Sequence, residues 1–178
     1  GGKGEFAIVT GALSAANQNE WIGVVKKRLA EKHPDLTLAT IRPSDDDRDK
    51  AFAETQTILR VFPNVKLVMA ISAPAVPGAG EAVRQARRAD VKVIGLSLPN
   101  MNKPYVHEGV VQTVMLWNTA DLGYLTVYAG ALMVQQKLGP GAQSLDAGRL
   151  GSSSIRGSAI RLGPPLFFRI DNLDQFDV

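Results

Sequence analysis

Between Thr10 and Trp21 the chain reads TGALSAANQNEW, which sets Ser14, Asn17, Gln18 and Asn19 in front of an indole. An amide both donates and accepts hydrogen bonds, and an indole can lie against the C–H face of a sugar ring. The group therefore suits a neutral polyol better than an ion. Four more segments, polar and mostly uncharged, follow apolar runs: RPSDDD, SAPAVPG, SLPNMNKP and WNTAD. Plainer readings stand beside this one. Asn17 is equally suited to capping a helix. Trp21 falls on an apolar face and reads as core. Asp45, Asp46 and Asp47 read as a solvated cap from which one carboxylate could turn inward to accept from hydroxyls, because a metal cluster needs more ligands than the sequence supplies. Trp117, between a strand end and a helix cap, reads as site rather than core.

Catalysis finds little support. The two histidines, His33 in EKHPD and His107 in PYVHEG, have no serine or acid partner identifiable by spacing and read as surface residues. GGKG at the start has no preceding strand and no GK[ST], and TGALSAAN lacks the glycine pattern of a dinucleotide fingerprint. The expectation is a protein that is not an enzyme, with no cofactor and no metal. Arg84, Arg87 and Arg88 lack interleaved aromatics and read as solvated surface, so no nucleic-acid partner is expected. A net charge of +3 and a pI near 9.3 are too mild to indicate a concentrated basic face. The absence of cysteine rules out disulfides and thiolate metal sites. No run of eighteen apolar residues occurs, and no charged-then-apolar leader precedes FAIVTG, so any export signal is expected to have been removed or never present.

The elements that must position these segments can be read from the apolar pattern. FAIVT, LTLATI, VKLVMAI, VKVIGL and VVQTVMLW are near-continuous and rich in β-branched residues, as strands buried on both faces are. They predict five parallel central strands. Between them, Trp21, Val24, Val25 and Leu29 share a helical face, as do Phe52, Thr55, Ile58, Leu59 and Phe62, and more weakly Ala79, Ala82, Val83 and Ala86. Such alternation implies right-handed βαβ units and an α/β fold: a doubly wound parallel sheet with helices on both faces. After Trp117 a helix capped by Asn118 or Thr119 and ended by Gly139 and Pro140 is predicted, and beyond Leu145 the pieces SSSIRGSAIRLG and PLFFRI predict a closing hairpin or edge strands. In an open parallel sheet ligands sit beyond the carboxyl ends of the strands, which is where the polar segments fall.

Taken together, GEFAIVTGALSAANQNEW, IRPSDDDRDKAFAETQTIL, VMAISAPAVPGAGEAV, VIGLSLPNMNKPYVHEGVV, LWNTADLGYLTVYAGAL and LGPPLFFRIDNLDQFDV resemble the rhamnose-binding and autoinducer-2-binding branch of the type I periplasmic sugar-binding proteins of ABC transporters. RPSDDDRDKA and SAPAVPG favour the rhamnose side. The resemblance implies two similar α/β lobes around a sugar, with ligand contacts here from Asn17, Gln18, Asp46, Ser72, Ala73, Ser97 and Trp117, and Trp21 packing beneath. It implies a periplasmic component that binds L-rhamnose or a related deoxysugar and delivers it to membrane permease subunits. An autoinducer-2-binding protein and the effector-binding domain of a sugar-responsive transcription regulator are the alternatives. Residues 1–178 would then be a single carboxy-terminal lobe, lacking the first lobe and the signal sequence. The helix over 119–138 would cross to that missing lobe, so Leu122, Leu125, Tyr128 and Leu132 are expected either to dock onto another copy of the chain or to pack differently.

Overall fold

All five apolar runs form strands, and all run parallel. A computed structural model describes residues 2–177 and places β1 (Gly4–Thr10), β2 (Leu36–Pro43), β3 (Val65–Ala70), β4 (Lys92–Leu96) and β5 (Val111–Leu116) in one sheet. A sixth strand, β9 (Leu166–Phe168), lies on the β5 edge, giving the order β2-β1-β3-β4-β5-β9. Every register between β1 and β5 is parallel, so the carboxyl ends at Thr10, Pro43, Ala70 and Leu96 share one edge. The side chains of Ala7, Ile8, Val9, Val68, Ala70, Val93 and Val114 are fully buried, which is why these strands read as continuous rather than alternating.

The helices take opposite faces. On one, α1 (Ala16–Lys32) buries Ile22 against Phe6, Ile8 and Ile71, and Trp21, Val25 and Leu29 pack on the same cluster. Trp21 is thus core, as its spacing predicts. Ala7 and Val9 point the other way, towards α2 (Arg48–Val61) and α3 (Ala75–Gln85), which pack side by side with α4 (Pro99–His107) next to α3. A polar clamp joins these three: the Tyr105 hydroxyl accepts from Arg48 Nη2 at 2.9 Å and donates to Glu81 Oε2 at 3.0 Å. Burial holds the Tyr105 phenol above its usual value, and Glu81 is held below its own chiefly by the hydrogen bond from Gln85. Two of the arginines of VRQARRAD are likewise engaged: Arg84 pairs with Glu81 and Glu108, and Arg88 with Asp90.

Two details depart from the pattern-based reading. The segment after the fourth strand is a helix, α4, that its two prolines disguise; Pro99 sits at the first turn, where its missing N–H costs nothing, and Pro104 falls close to the end. The helix after Trp117, α5 (Thr119–Val134), stops before Gly139. Gln136 takes the left-handed φ of 58° that ends it, and Lys137 N–H bonds back to the Leu132 carbonyl, the Schellman arrangement without its usual glycine.

The chain divides into two compact units, one running to Met115 and resuming at Phe167, the other Leu116–Leu166. In the first, Phe168 is buried and meets Phe176 edge-on, with centroids 4.7 Å apart, and Leu173 is fully buried. In the second, α5 packs on a small antiparallel sheet of β6 (Ser144–Asp146), β7 (Ser152–Arg156) and β8 (Ala159–Ile160), the last two being the hairpin expected from SSSIRGSAIRLG. Leu125, Leu145 and Ala147 form its core, lined by Tyr128, Leu132, Leu150, Ile155 and Ile160. Of the stripe expected either to dock onto another copy or to pack differently, Leu125, Tyr128 and Leu132 pack within their own unit, and Leu122 stays 41% exposed. Leu145→Ala should cost about 2–3 kcal/mol by opening a cavity there. Hydrogen exchange would show it as lost protection confined to α5 and the hairpin. Unchanged protection would mean that this core does not hold the unit.

Candidate functional site

Each strand end carries a loop, and side-chain bonds hold the loops to one another. At the end of β1, Gln18 is buried and turns its amide oxygen back to accept from Thr10 Oγ1 and from Gly11 N–H, the latter at 2.6 Å. Thr10 is fully buried, and its carbonyl accepts from both the amide and the hydroxyl of Ser44, at 2.7 and 3.0 Å. Gly11 O accepts from Asp45 N–H at 2.6 Å, so the DDD turn is tied to the end of β1 by backbone.

The three aspartates have separate roles. Asp47 caps α2 by accepting from Lys50 N–H at 2.7 Å, as the acidic helix start predicts, and Asp45 pairs with the Lys50 ammonium. Asp46 is held at a left-handed φ of 54°, which aspartate tolerates better than most residues. That backbone sets its carboxylate over Gly11: a Cβ built on Gly11 would overlap Asp46 Oδ1 and come within 2.9 Å of Cγ. Among the described residues no hydrogen bond or ion pair reaches this carboxylate.

Next along the edge, Ser72 follows β3. It is only 4% exposed, and its hydroxyl has no partner among the described residues. A buried hydroxyl left unsatisfied costs about 1–3 kcal/mol, which is the kind of orphan a bound polar ligand relieves. The Ala73 carbonyl accepts from Ser97 Oγ at 2.6 Å, and Ser97 accepts in turn from Asn102 Nδ2 at 2.8 Å. Three helices share a further trait. α1, α3 and α4 begin at Ala15, Pro74 and Leu98 with no side-chain cap, whereas α2 and α5 are capped by Asp47 and Asn118. Uncapped first-turn amides are donors left for another acceptor, except Ala75 N–H, which bonds to Ser72 O, and Pro77 and Pro99, which have no N–H.

Asp46, Ser72, Ala73 and Ser97 thus lie on loops at one edge of the first unit, and Gln18 lies in the first turn of α1 beside them. Asn17 lies in the first turn of α1, exposed; Ala15, not Asn17, takes the cap position. Trp117 belongs to the second unit, directly before the Asn118 cap. Gln18 and Ser97 differ from a simple contact role in that Gln18's oxygen and Ser97's proton are spent inside the protein. Thr10, Ser44 and Asn102, all fully buried, are the residues that the sequence reading did not single out. For Thr10 and Ser44 the signal was a polar residue directly at or after a strand end, in TG and PS; Asn102, inside α4, carried none. Among the described residues no group of three or more His, Cys, Asp or Glu is placed to hold a metal.

A doubly wound sheet with loops converging on its carboxyl edge is common to many proteins. Residues 1–138 match the family model described as the periplasmic binding protein domain. The chain belongs to the periplasmic binding protein family. Among solved structures, this periplasmic binding protein chain superposes on a sugar ABC transporter protein from Actinomyces odontolyticus with a TM-score of 0.85 and 29% identity, covering 99% of this chain and 58% of that one. An ABC transporter solute-binding protein from Clostridium phytofermentas with bound L-rhamnose matches with a TM-score of 0.87 and 27% identity over 97% of this chain and 59% of the other. A protein from Clostridium saccharobutylicum in complex with AI-2 has a TM-score of 0.84 over 98% of this chain and 59% of its own, but at 18% identity it shows the fold alone. This chain spans about three fifths of the length of each.

Proposed function

We propose that this chain is the part of an ABC importer's sugar-binding protein that holds one side of the sugar, with L-rhamnose or a related deoxysugar as ligand. The observation that carries the reading is the Ser72 hydroxyl, buried at the carboxyl edge of the sheet and without a partner among the described residues. A sugar hydroxyl supplies both the donor and the acceptor such a group lacks. Asp46, with no partner among the described residues, accepts from a second hydroxyl, and first-turn amides of α1 and α4 donate to others. The rhamnose complex of a 27%-identical protein supports the choice of sugar. Asn17, exposed in the first turn of α1, reaches outward for the same ligand.

In this reading the protein works by closing around the sugar in the periplasm. Contacts made on both sides favour the closed form, and membrane permease subunits recognise that form, a population shift set by differential affinity. One side alone forfeits half of those contacts, so the chain by itself should hold L-rhamnose only weakly, with Kd on the order of 1 mM or above. Titration of the chain with L-rhamnose, D-arabinose, other monosaccharides and autoinducer-2, followed by amide chemical shifts, tests this. Shifts confined to Ser72, Ala73, Gly11 and Asp46, strongest with L-rhamnose, are the expected result. Strongest shifts with autoinducer-2 would replace the sugar, and no response to any of these compounds would overturn the binding reading.

A further inference from the structure

We propose that Asn102 is a positioning residue for the sugar site, acting through Ser97 on the loop that carries Ser72; the inference rests on the binding reading above. Asn102 and Ser97 are both fully buried, and Asn102 lies one turn into α4, outside the strand-end loops. Its Nδ2 donates to Ser97 Oγ at 2.8 Å and to the Leu98 carbonyl at 2.9 Å. A helix start needs no such fork, because the bond to Leu98 alone would steady the turn.

The other branch continues. Asn102 donates to the Ser97 oxygen, and the one Ser97 proton is donated to Ala73 O at 2.6 Å. A hydroxyl that accepts becomes a better donor, so the two bonds reinforce each other. The chain of bonds therefore runs from α4, through the end of β4, to the residue after Ser72. It adds a side-chain tie to a segment otherwise held by backbone bonds, among them the turn from Ala75 N–H to Ser72 O at 3.0 Å. Without it, Ser72 keeps its burial but not its direction. Direction is what matters for a hydroxyl that must meet a ligand, since hydrogen bonds weaken steeply when misaligned.

Asn102→Asp is nearly isosteric but reverses the polarity. A carboxylate accepts, so it draws the Ser97 proton away from Ala73. Ser97→Ala removes the same bond to Ala73 and leaves Asn102 to hold Leu98. Each should weaken L-rhamnose binding about tenfold, and the double variant should be no weaker than the worse of the two singles, because both break one path. The Ala73 carbonyl ¹³C shift should move in both singles before any sugar is added. Independent losses that multiply in the double variant would overturn the proposal, as would an unmoved Ala73 carbonyl in the folded Ser97→Ala protein. A parent chain that takes no sugar would defeat the binding reading instead. The positioning role would then stand or fall on whether Asn102→Asp moves the Ala73 carbonyl and speeds exchange of the Ala75 amide.

Discussion

Gly11→Ala should leave the protein folded and cut its affinity for L-rhamnose at least about thirtyfold, or about 2 kcal/mol. The new methyl group would occupy the space that Asp46 Oδ1 now fills, with Cγ 2.9 Å away. What must yield is the end of an exposed, rotatable side chain, so the fold has little to lose. Gly11 does not have a left-handed φ, so alanine meets no backbone strain there, and the more restricted unfolded chain offsets part of any cost. Stability should stay within about 1 kcal/mol of the parent. The carboxylate, by contrast, cannot return to its place over the end of β1. If that place is where a sugar hydroxyl donates, a charge-assisted hydrogen bond is lost. Asp46→Ala should give the same loss, and combining the two should add nothing. A Gly11→Ala protein that binds as tightly as its parent would remove Asp46 from the site.

How much of this was visible beforehand depends on the kind of interaction. The strands were legible because burial on both faces leaves unbroken apolar runs, and each run brackets its strand to within a few residues. The edge on which the loops meet followed from parallel order alone. Helix α4 was hidden because prolines ordinarily mark its absence, although Pro99 at the first turn is well placed. Individual side-chain roles were least legible. Gln18 and Ser97 have the right chemistry for a sugar, but folding spends that chemistry on Thr10, Gly11 and Ala73, pairings that join residues up to 24 positions apart. Among three consecutive aspartates, only backbone geometry separates the cap at Asp47 from Asp46, which has no partner among the described residues.

Gly95→Ala should have the opposite profile, a loss of about 3–5 kcal/mol in stability that falls on the whole first unit. Gly95 lies within β4 opposite Ala70 of β3. A Cβ there would overlap the Ala70 carbonyl oxygen, sit 2.8 Å from its carbon and 2.7 Å from Val76 Cγ2. Neither neighbour is free to swing away. Ala70 is fully buried sheet backbone, and Val76 is fully buried in the first turn of α3. Relief therefore requires β3 and β4 to separate or α3 to lift, and either movement carries the Ser72 loop with it. Close approach of α3 to β4 is thus what brings the site loop to the sheet edge, and only glycine permits it. For a chain of this size the melting temperature should fall by about 10 °C. A companion Val76→Ala change should recover only part of the loss, because it removes the methyl contact and leaves the clash with the carbonyl. Full recovery would show that α3 alone sets the constraint. A Gly95→Ala protein within about 1 kcal/mol of its parent would show that β3 and β4 have slack the packing does not reveal.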